Sequence, residues 1–306
     1  RGSPARRAKD PTDSEAETIP ISGGSTALPG RRRALSPGQT IGPYRIERML
    51  GSGGMGEVYA AEHLESGHRL AVKVLPSSES WSRELRARFS REGTLAATIN
   101  HPNSLYVYGT AEVEGVPLIA MELAPGGTLR DVVEADGPMP IAAAVDATLQ
   151  IIAGLEAAHR AGVLHRDVKP ANCFVDRRGV VKIGDFGLSI STASAPDTRL
   201  TRSGEVMATP AFAPPEQLRG EDVDLRSDLY AVGATLYYLL TAKLPIVATG
   251  AMQLVAAVLE KHPESPRKHR PGIPDDLAAA VLRCLEKDPA QRFQTYPEFA
   301  ASLEPF

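Results

Sequence analysis

Residues 164–172 read Leu164-His165-Arg166-Asp167-Val168-Lys169-Pro170-Ala171-Asn172. This short turn carries a carboxylate, an ammonium and a carboxamide. Asp167 can accept a proton, Lys169 can meet a phosphate, and the Asn172 oxygen can ligate a hard cation. Thirteen residues after Asn172 comes Asp185-Phe186-Gly187, a second carboxylate beside a glycine. Two acids and an amide around a flexible turn point to a metal–phosphate site. A three-letter motif arises often by chance. His-Arg-Asp with Lys at +2 and Asn at +5, followed by Asp-Phe-Gly, rarely does.

Toward the N-terminus, Tyr44-Arg45-Ile46 alternates into Leu50. Gly51-Ser52-Gly53-Gly54-Met55-Gly56 follows, and then Val58-Tyr59-Ala60-Ala61. The pattern is strand, glycine turn, strand. Glycine permits positive φ and lets backbone N–H groups approach phosphate oxygens. G-x-G-x-x-G alone is weak evidence, and a dinucleotide fold wants a helix straight after it with an acid roughly 20 residues on. A strand pattern follows here instead. Leu70-Ala71-Val72-Lys73-Val74-Leu75 is an apolar strand with one lysine, 17 residues after Gly56. A lone strand lysine is usually an edge charge, since burying an unpaired ammonium is costly.

Taken together, these stretches resemble the protein kinases, and specifically the bacterial eukaryotic-like Ser/Thr kinases, over residues 41–303. The resemblance implies an α+β, bilobal protein kinase fold. Composition leads one to expect a disordered Pro/Gly/Arg-rich tail at residues 1–39, and the resemblance implies a small β-rich lobe with one main helix at 41–123 and a large, mostly helical lobe at 124–306.

It also implies ATP with Mg²⁺, or Mn²⁺ in its place, in the cleft between the lobes. Leu50, Gly51, Ser52, Gly53, Gly54, Met55, Gly56, Val58 and Ala71 cover the nucleotide. Met121 guards the back of its pocket, backbone groups of Glu122 and Leu123 meet adenine, and Phe174 lies beneath the ring. Lys73 holds the α- and β-phosphates when paired with an acid on the helical segment Arg83 to Thr98. Glu84 and Glu92 compete for that role, and Glu92 is preferred because it lies closer to His101-Pro102-Asn103. Asp167 takes the proton of the attacking hydroxyl, Lys169 steadies the γ-phosphate, and Asn172 and Asp185 ligate the metal. Lysine two residues after the aspartate is similar to Ser/Thr kinases, so protein Ser/Thr is the expected acceptor.

Residues 188–208 form a long polar stretch at the position of an activation segment. Arg166 is expected to meet a phosphate there. Thr201 is the expected autophosphorylation site, with Ser203 and Thr198 secondary. The family's closing pattern is altered to Ala208, Phe212 and Pro214-Pro215-Glu216, which bears on substrate specificity more than on catalysis. Asp228, in Ser227-Asp228-Leu229-Tyr230, is expected to brace the catalytic loop, and Arg292 to pair with Glu216.

Further elements follow from periodicity and turn signals. Strands are expected at Leu105–Thr110 and Val116–Met121. Thr128 caps a helix, and Ile141–Ala161 is a long helix on which His159 is structural. Cys173–Val175 and Val180–Ile183 form a hairpin, Asp224–Thr241 a buried helix, and Leu254–Leu259, Leu277–Leu285 and Pro297–Leu303 the remaining helices.

Composition sets outer limits. At 306 residues with 42% hydrophobic and 23% charged side chains, the chain is an ordinary globular protein. A net charge of −3 gives no pull toward nucleic acid, and none is expected as a partner. The two cysteines, Cys173 and Cys284, make no disulfide framework, which fits a reducing, cytoplasmic compartment. Cys173 is expected to be an inert strand residue. No apolar run reaches the roughly 18 residues of a membrane span. Leu229–Ala242 comes nearest and reads as a buried helix. The first residue is Arg1, so a membrane segment outside this stretch is compatible, and the chain would then be the cytosolic part of a membrane protein. Cys173-Phe174 and the Leu303–Phe306 ending faintly resemble kinases joined to an RDD-type membrane domain. Protein substrates are the expected partners, and a small-lobe homodimer is compatible. A pseudokinase scaffold is disfavoured because Lys73, Glu92, Asp167, Asn172 and Asp185 are all present. A small-molecule phosphotransferase is disfavoured by the Thr209–Glu216 platform.

Overall fold

The computed structural model describes residues 34–53, 56–75, 83–186 and 209–306. For Gly53, residues 83–86, Arg88, Glu92 and Thr209, the description covers the backbone only.

Six strands form one antiparallel sheet: β1 (Thr40–Ile41), β2 (Tyr44–Gly53), β3 (Gly56–His63), β4 (Arg69–Val74), β5 (Val107–Val113) and β6 (Val116–Met121). Their spatial order is β1-β2-β3-β4-β6-β5. Side chains on a strand alternate between faces, and that alternation sorts β4. Leu70, Val72 and Val74 join an outer apolar cluster with Ile46, Tyr59 and Leu118. Ala71 belongs to the inner cluster, with Ile119 and Met121. Lys73 therefore faces inward, on the same side of the strand as Ala71 and Leu75, because its register allows nothing else. Opposite it, Val58 and Ile119 are its cross-strand partners on β3 and β6. β2 shifts register twice before the glycine turn, between Ile46 and Arg48 and between Met49 and Gly51. Such bulges increase local twist and bend the strand.

Helix α1 (Arg83–Ala96) packs on β5 and β6. It ends two residues before the expected Thr98, where Ala97, Thr98 and Ile99 turn away through short-range backbone bonds. Gly93 is needed for this packing, because a Cβ there would lie 2.4 Å from Thr110 Cγ2.

The second lobe is helical. It comprises α2 (Leu129–Asp136), α3 (Ile141–Arg160), the hairpin β7 (Cys173–Val175) and β8 (Val181–Ile183), α4 (Pro215–Arg219), α5 (Leu225–Thr241), α6 (Ala251–Glu260), α7 (Asp275–Cys284) and α8 (Tyr296–Leu303). Thr128 caps α2 as expected, and Asp131 completes a reciprocal capping box with it. α5 is buried along nearly its whole circumference, as a helix apolar on all sides must be. It packs against α3 and α7.

α3 corrects one expectation. Among the described residues it is the helix long and apolar enough to cross a membrane, with a mean hydropathy of 1.5 over its best 18-residue window, whereas the sequence put Leu229–Ala242 nearest to that limit. Half of α3 is buried inside the protein, against α5, α8 and β8, so its apolar residues serve the core. Strand β5 starts at Val107 instead of Leu105. Leu105 N–H donates to Ile183 O at 2.8 Å, and Ser104 bridges Ile183, so these residues tie to β8.

Candidate active site

Lys73 Nζ and Asp185 Oδ1 are 2.8 Å apart. The ammonium is almost wholly buried, and the carboxylate is about a quarter exposed (26%). Burial alone would raise the Asp185 carboxyl. The Lys73 charge and hydrogen bond, with smaller help from His165 and Lys169, outweigh it and hold the group below the usual carboxylate value. Both residues line a cavity of about 20 Å³ with Met121, Phe186 and Gly93. The acid expected for Lys73, Glu92, lies on α1, and its side chain is outside the described residues, as is that of its rival Glu84.

The stretch 164–172 folds into a knot of hydrogen bonds. Asp167 Oδ2 accepts from Lys169 Nζ at 2.7 Å and from Asn172 Nδ2 at 3.0 Å. Asn172 Nδ2 also donates to Asp167 O at 2.8 Å. With its nitrogen committed to two acceptors, the Asn172 carboxamide leaves its oxygen for a cation. His165 is fully buried and links two segments. Its Nδ1 accepts from Asp167 N–H at 3.2 Å, and its Nε2 contacts Gly184 O at 2.8 Å. The tautomer that satisfies both carries its proton on Nε2. The Phe186 ring centroid lies 4.8 Å from that of His165. The catalytic loop and the Asp185 segment are thereby bolted to each other.

Two backbone positions are strained. Arg166 has φ 66° and Asp185 has φ 62°, a region that side chains with a Cβ adopt rarely. Asp228, at the start of α5, offsets the first. Its Oδ1 and Oδ2 accept the N–H groups of Arg166 (2.8 Å) and His165 (3.0 Å). Gln217 Nε2 adds a bond to Arg166 O at 3.0 Å.

Glu216 and Arg292 meet as expected, in a bidentate pair of 2.7 and 2.8 Å. Ser227 Oγ donates to Glu216 at 2.6 Å. Carbonyls of Arg226, Glu286 and Lys287 take the remaining Arg292 donors, so all five are used. Burial raises the Glu216 carboxyl, and Arg292 and Ser227 more than offset that, leaving it lowered.

At the face expected to meet the nucleotide, Ala71 is the cross-strand neighbour of Met121, which sets the β4 surface beside Glu122 and Leu123, the hinge between the lobes. Glu122 N–H already donates to Tyr106 O at 2.8 Å, so its carbonyl, and not its amide, can serve an adenine. The Glu122 carboxylate turns outward to Lys182 Nζ (3.1 Å) and Tyr106 N. Leu123 and Phe174 are partly buried against the core, and Phe174 is on β7, paired to Lys182. Leu50, Gly51 and Ser52 are exposed on the last part of β2; Gly56 and Val58 begin β3. Gly54, Met55, Gly187 and the expected phosphosites Thr198, Thr201 and Ser203 lie outside the described residues. Cys173 is buried, and burial pushes its thiol far above the reactive range, as an inert residue requires.

Sequence reasoning gave no role to His165, Gln217 or Ser227. The His-Arg-Asp motif held a signal for His165, because a buried imidazole between two backbone groups is a natural tie. Gln217 and Ser227 had no local signal, since their partners come from other segments.

A family model for the protein kinase domain matches residues 44–301. The chain belongs to the protein kinase family. Among curated proteins, it is 39% identical over 264 residues to "Serine/threonine-protein kinase PknB" of Mycobacterium leprae, covering 85% of this chain and 42% of that protein. It is 39% identical over 272 residues to "Serine/threonine-protein kinase PknJ" of Mycobacterium bovis, covering 87% and 46%. The chain thus spans under half the length of these relatives. Among solved structures, the PknI kinase domain of Mycobacterium tuberculosis superposes with a TM-score of 0.70 at 29% identity, over 89% of this chain and 99% of that one. The fold is therefore the bacterial eukaryotic-like kinase fold, a β-sheet lobe above a helical lobe.

Proposed function

We propose that residues 41–306 are an ATP-dependent Ser/Thr protein kinase domain, with the small lobe at 41–123 and the large lobe at 124–306. The observation that carries this reading is the meeting of Lys73 with Asp185 beside the Asp167–Lys169–Asn172 cluster. Phosphoryl transfer asks the protein mainly for positioning and charge neutralisation, and this set supplies both.

In this reading ATP is a substrate. Its adenine sits against Ala71, Val58 and Leu50, with Phe174 below and the Glu122 carbonyl and Leu123 at the hinge. Gly51, Ser52, Gly53, Gly54, Met55 and Gly56 cover the phosphates, and Lys73, aligned by Glu92, holds the α- and β-phosphates. A bound Mg²⁺ would neutralise charge on the phosphoryl oxygens. The donor set fits it, because the free Asn172 oxygen and the ionised Asp185 carboxylate are the hard ligands it prefers. Asp167 orients the acceptor hydroxyl and takes its proton as the oxygen attacks the γ-phosphorus. The bond to the β–γ bridging oxygen breaks, ADP departs, and Lys169 balances charge on the transferred group.

Autophosphorylation at Thr201, with Ser203 and Thr198 secondary, belongs to the same reading. Arg166 supports it, because its Nε is buried without a hydrogen-bond partner among the described residues, where a phosphate would satisfy it. Protein substrates are the proposed partners and the cytoplasm the proposed site of action, with any membrane segment or small-lobe homodimer an attribute of the whole protein. Incubation of the purified chain with labelled ATP, Mg²⁺ and a generic protein substrate, followed by phosphosite mapping, tests this. Label on substrate Ser/Thr and on the 198–203 peptide is expected. ATP-stabilised protein with no transferred label would mean a nucleotide-binding scaffold instead.

A further inference from the structure

Beside the Glu122–Leu123 hinge lies a second cleft of about 290 Å³. Its walls come from both lobes: Arg69 and Tyr108 from the sheet, Leu123 and Pro125 from the hinge, and the Asp176–Arg178 turn between β7 and β8. The volume is at the low end for a small-molecule pocket. It suits a few side chains of an extended peptide.

Its charges are unevenly committed. Glu122 is taken by Lys182 and Tyr106 N–H. Asp176 Oδ1 accepts the N–H groups of Arg178 (2.7 Å) and Val180 (2.9 Å), which locks the turn. Arg69 is held by Glu47 through Nε at 2.8 Å. Arg177 and Arg178 are exposed, and neither has a carboxylate partner among the described residues. Every acid at the cleft is therefore occupied while two guanidiniums are available, so the cleft selects anions.

We propose that this cleft docks the acidic stretch Asp10–Glu17 of the chain's own N-terminal segment. That stretch carries Asp10, Asp13, Glu15 and Glu17 with no base among them. In extended backbone, Asp13, Glu15 and Glu17 fall on one side, which presents a row of carboxylates to adjacent arginines. The point of chain entry favours this occupant over a foreign one. Leu35 packs on the outer apolar cluster of the sheet, and Tyr108, a wall of the cleft, packs on the same cluster. Seventeen residues separate Glu17 from Leu35, a reach of up to roughly 60 Å when extended. Tethering gives an effective concentration on the order of millimolar, so even weak ionic contacts fill the cleft.

The test is hydrogen exchange on the full chain, read at peptides covering 123–126 and 176–180. Three proteins are compared: the parent, a variant with Asp10→Asn, Asp13→Asn, Glu15→Gln and Glu17→Gln, and a variant with Arg177→Ser and Arg178→Ser. The carboxylate replacements conserve side-chain size, and thermal unfolding of each variant alongside the parent checks that it folds. For an affinity on the order of 0.1 mM and that effective concentration, exchange at the turn should be about tenfold slower in the parent than in the carboxylate variant. High salt should abolish the difference, because these contacts are exposed. A photo-crosslinker at Ser14 should label residues of the cleft within the same molecule, and the arginine variant should lose that label. Equal exchange in parent and carboxylate variant overturns the proposal. Protection that rises with protein concentration overturns it in favour of a second copy. Protection seen only after adding a poly-glutamate peptide overturns it in favour of a foreign acidic partner.

Discussion

Lys73 Nζ sits 2.8 Å from Asp185 Oδ1, across 112 residues of chain. Neither group would be stable where it is without the other. An unpaired ammonium in the inner face of β4 would be strongly penalised, and the carboxylate is held ionised chiefly against its own burial. The pair joins strand β4 of the sheet lobe to the Asp185 segment of the helical lobe, and in the proposed function it supplies a positive charge for the phosphates and an acid for the metal.

Asp228→Ala should weaken both stability and catalysis. It removes the acceptor of the His165 and Arg166 N–H groups and leaves Arg166 at φ 66° without its brace. Strained residues of this kind cost about 1–3 kcal/mol each and persist only when surroundings hold them. The loss should be about 2–4 kcal/mol. Denaturant unfolding and kcat measured on the same preparation check it. Full activity with intact stability would show that the loop holds its shape alone.

Glu216→Gln should cost about 3–5 kcal/mol, since it strips the charge that a fully buried Arg292 requires. Arg292→Met should cost a similar amount. The double variant Glu216→Gln/Arg292→Met should be less destabilised than the two losses added together, because the second change removes an already unpaired charge. Additive losses in a chemical denaturation cycle would mean the pair is not coupled.

Lys287 makes a pH prediction of opposite sign to the usual carboxylate case. Burial, with repulsion from Arg292, lowers its pKa to about 8. In the unfolded chain a lysine titrates near ~10.4. Between those values the unfolded state holds the extra proton, so stability from this group rises with pH; below about 8 both states are protonated and the penalty is constant. Lys287→Met should therefore raise stability at pH 7 by about 1 kcal/mol, a figure reduced for partial exposure, although Val258 O loses a donor. The advantage should shrink from pH 8 to pH 10. Urea titrations at pH 7, 9 and 10 read it, and a variant less stable than the parent at pH 7 contradicts it.

Much of the fold and site was legible because kinase chemistry is written in short, local motifs. The glycine turn, the Lys73 strand, the Asp167–Asn172 loop and the Thr128 cap each specify themselves within a few residues. The Glu216–Arg292 and Asp228 contacts were legible only through resemblance, as their partners are 62 to 76 residues away. Other features had no local trace. Arg270 Nη1 donates to Met139 O (2.6 Å) and Leu240 O, which joins three segments that share no pattern. α6 begins at Ala251, and the residues before Leu254 escaped the expected start because Met252 there is exposed and none of them is buried. Strand β5 was misplaced because Leu105 bonds to β8, a contact no period-2 reading reveals.

The most direct measurement is the affinity of the full chain for ATP with Mg²⁺, by calorimetric titration, for the parent, Lys73→Met, Asp185→Asn and the double variant. If both side chains serve one nucleotide–metal site, each single change should weaken binding by at least about tenfold, equivalent to ~1.4 kcal/mol. The double variant should then be little worse than the weaker single one, as expected for groups that act as a unit. Binding unchanged in either single variant, in protein shown to be folded, would contradict the account.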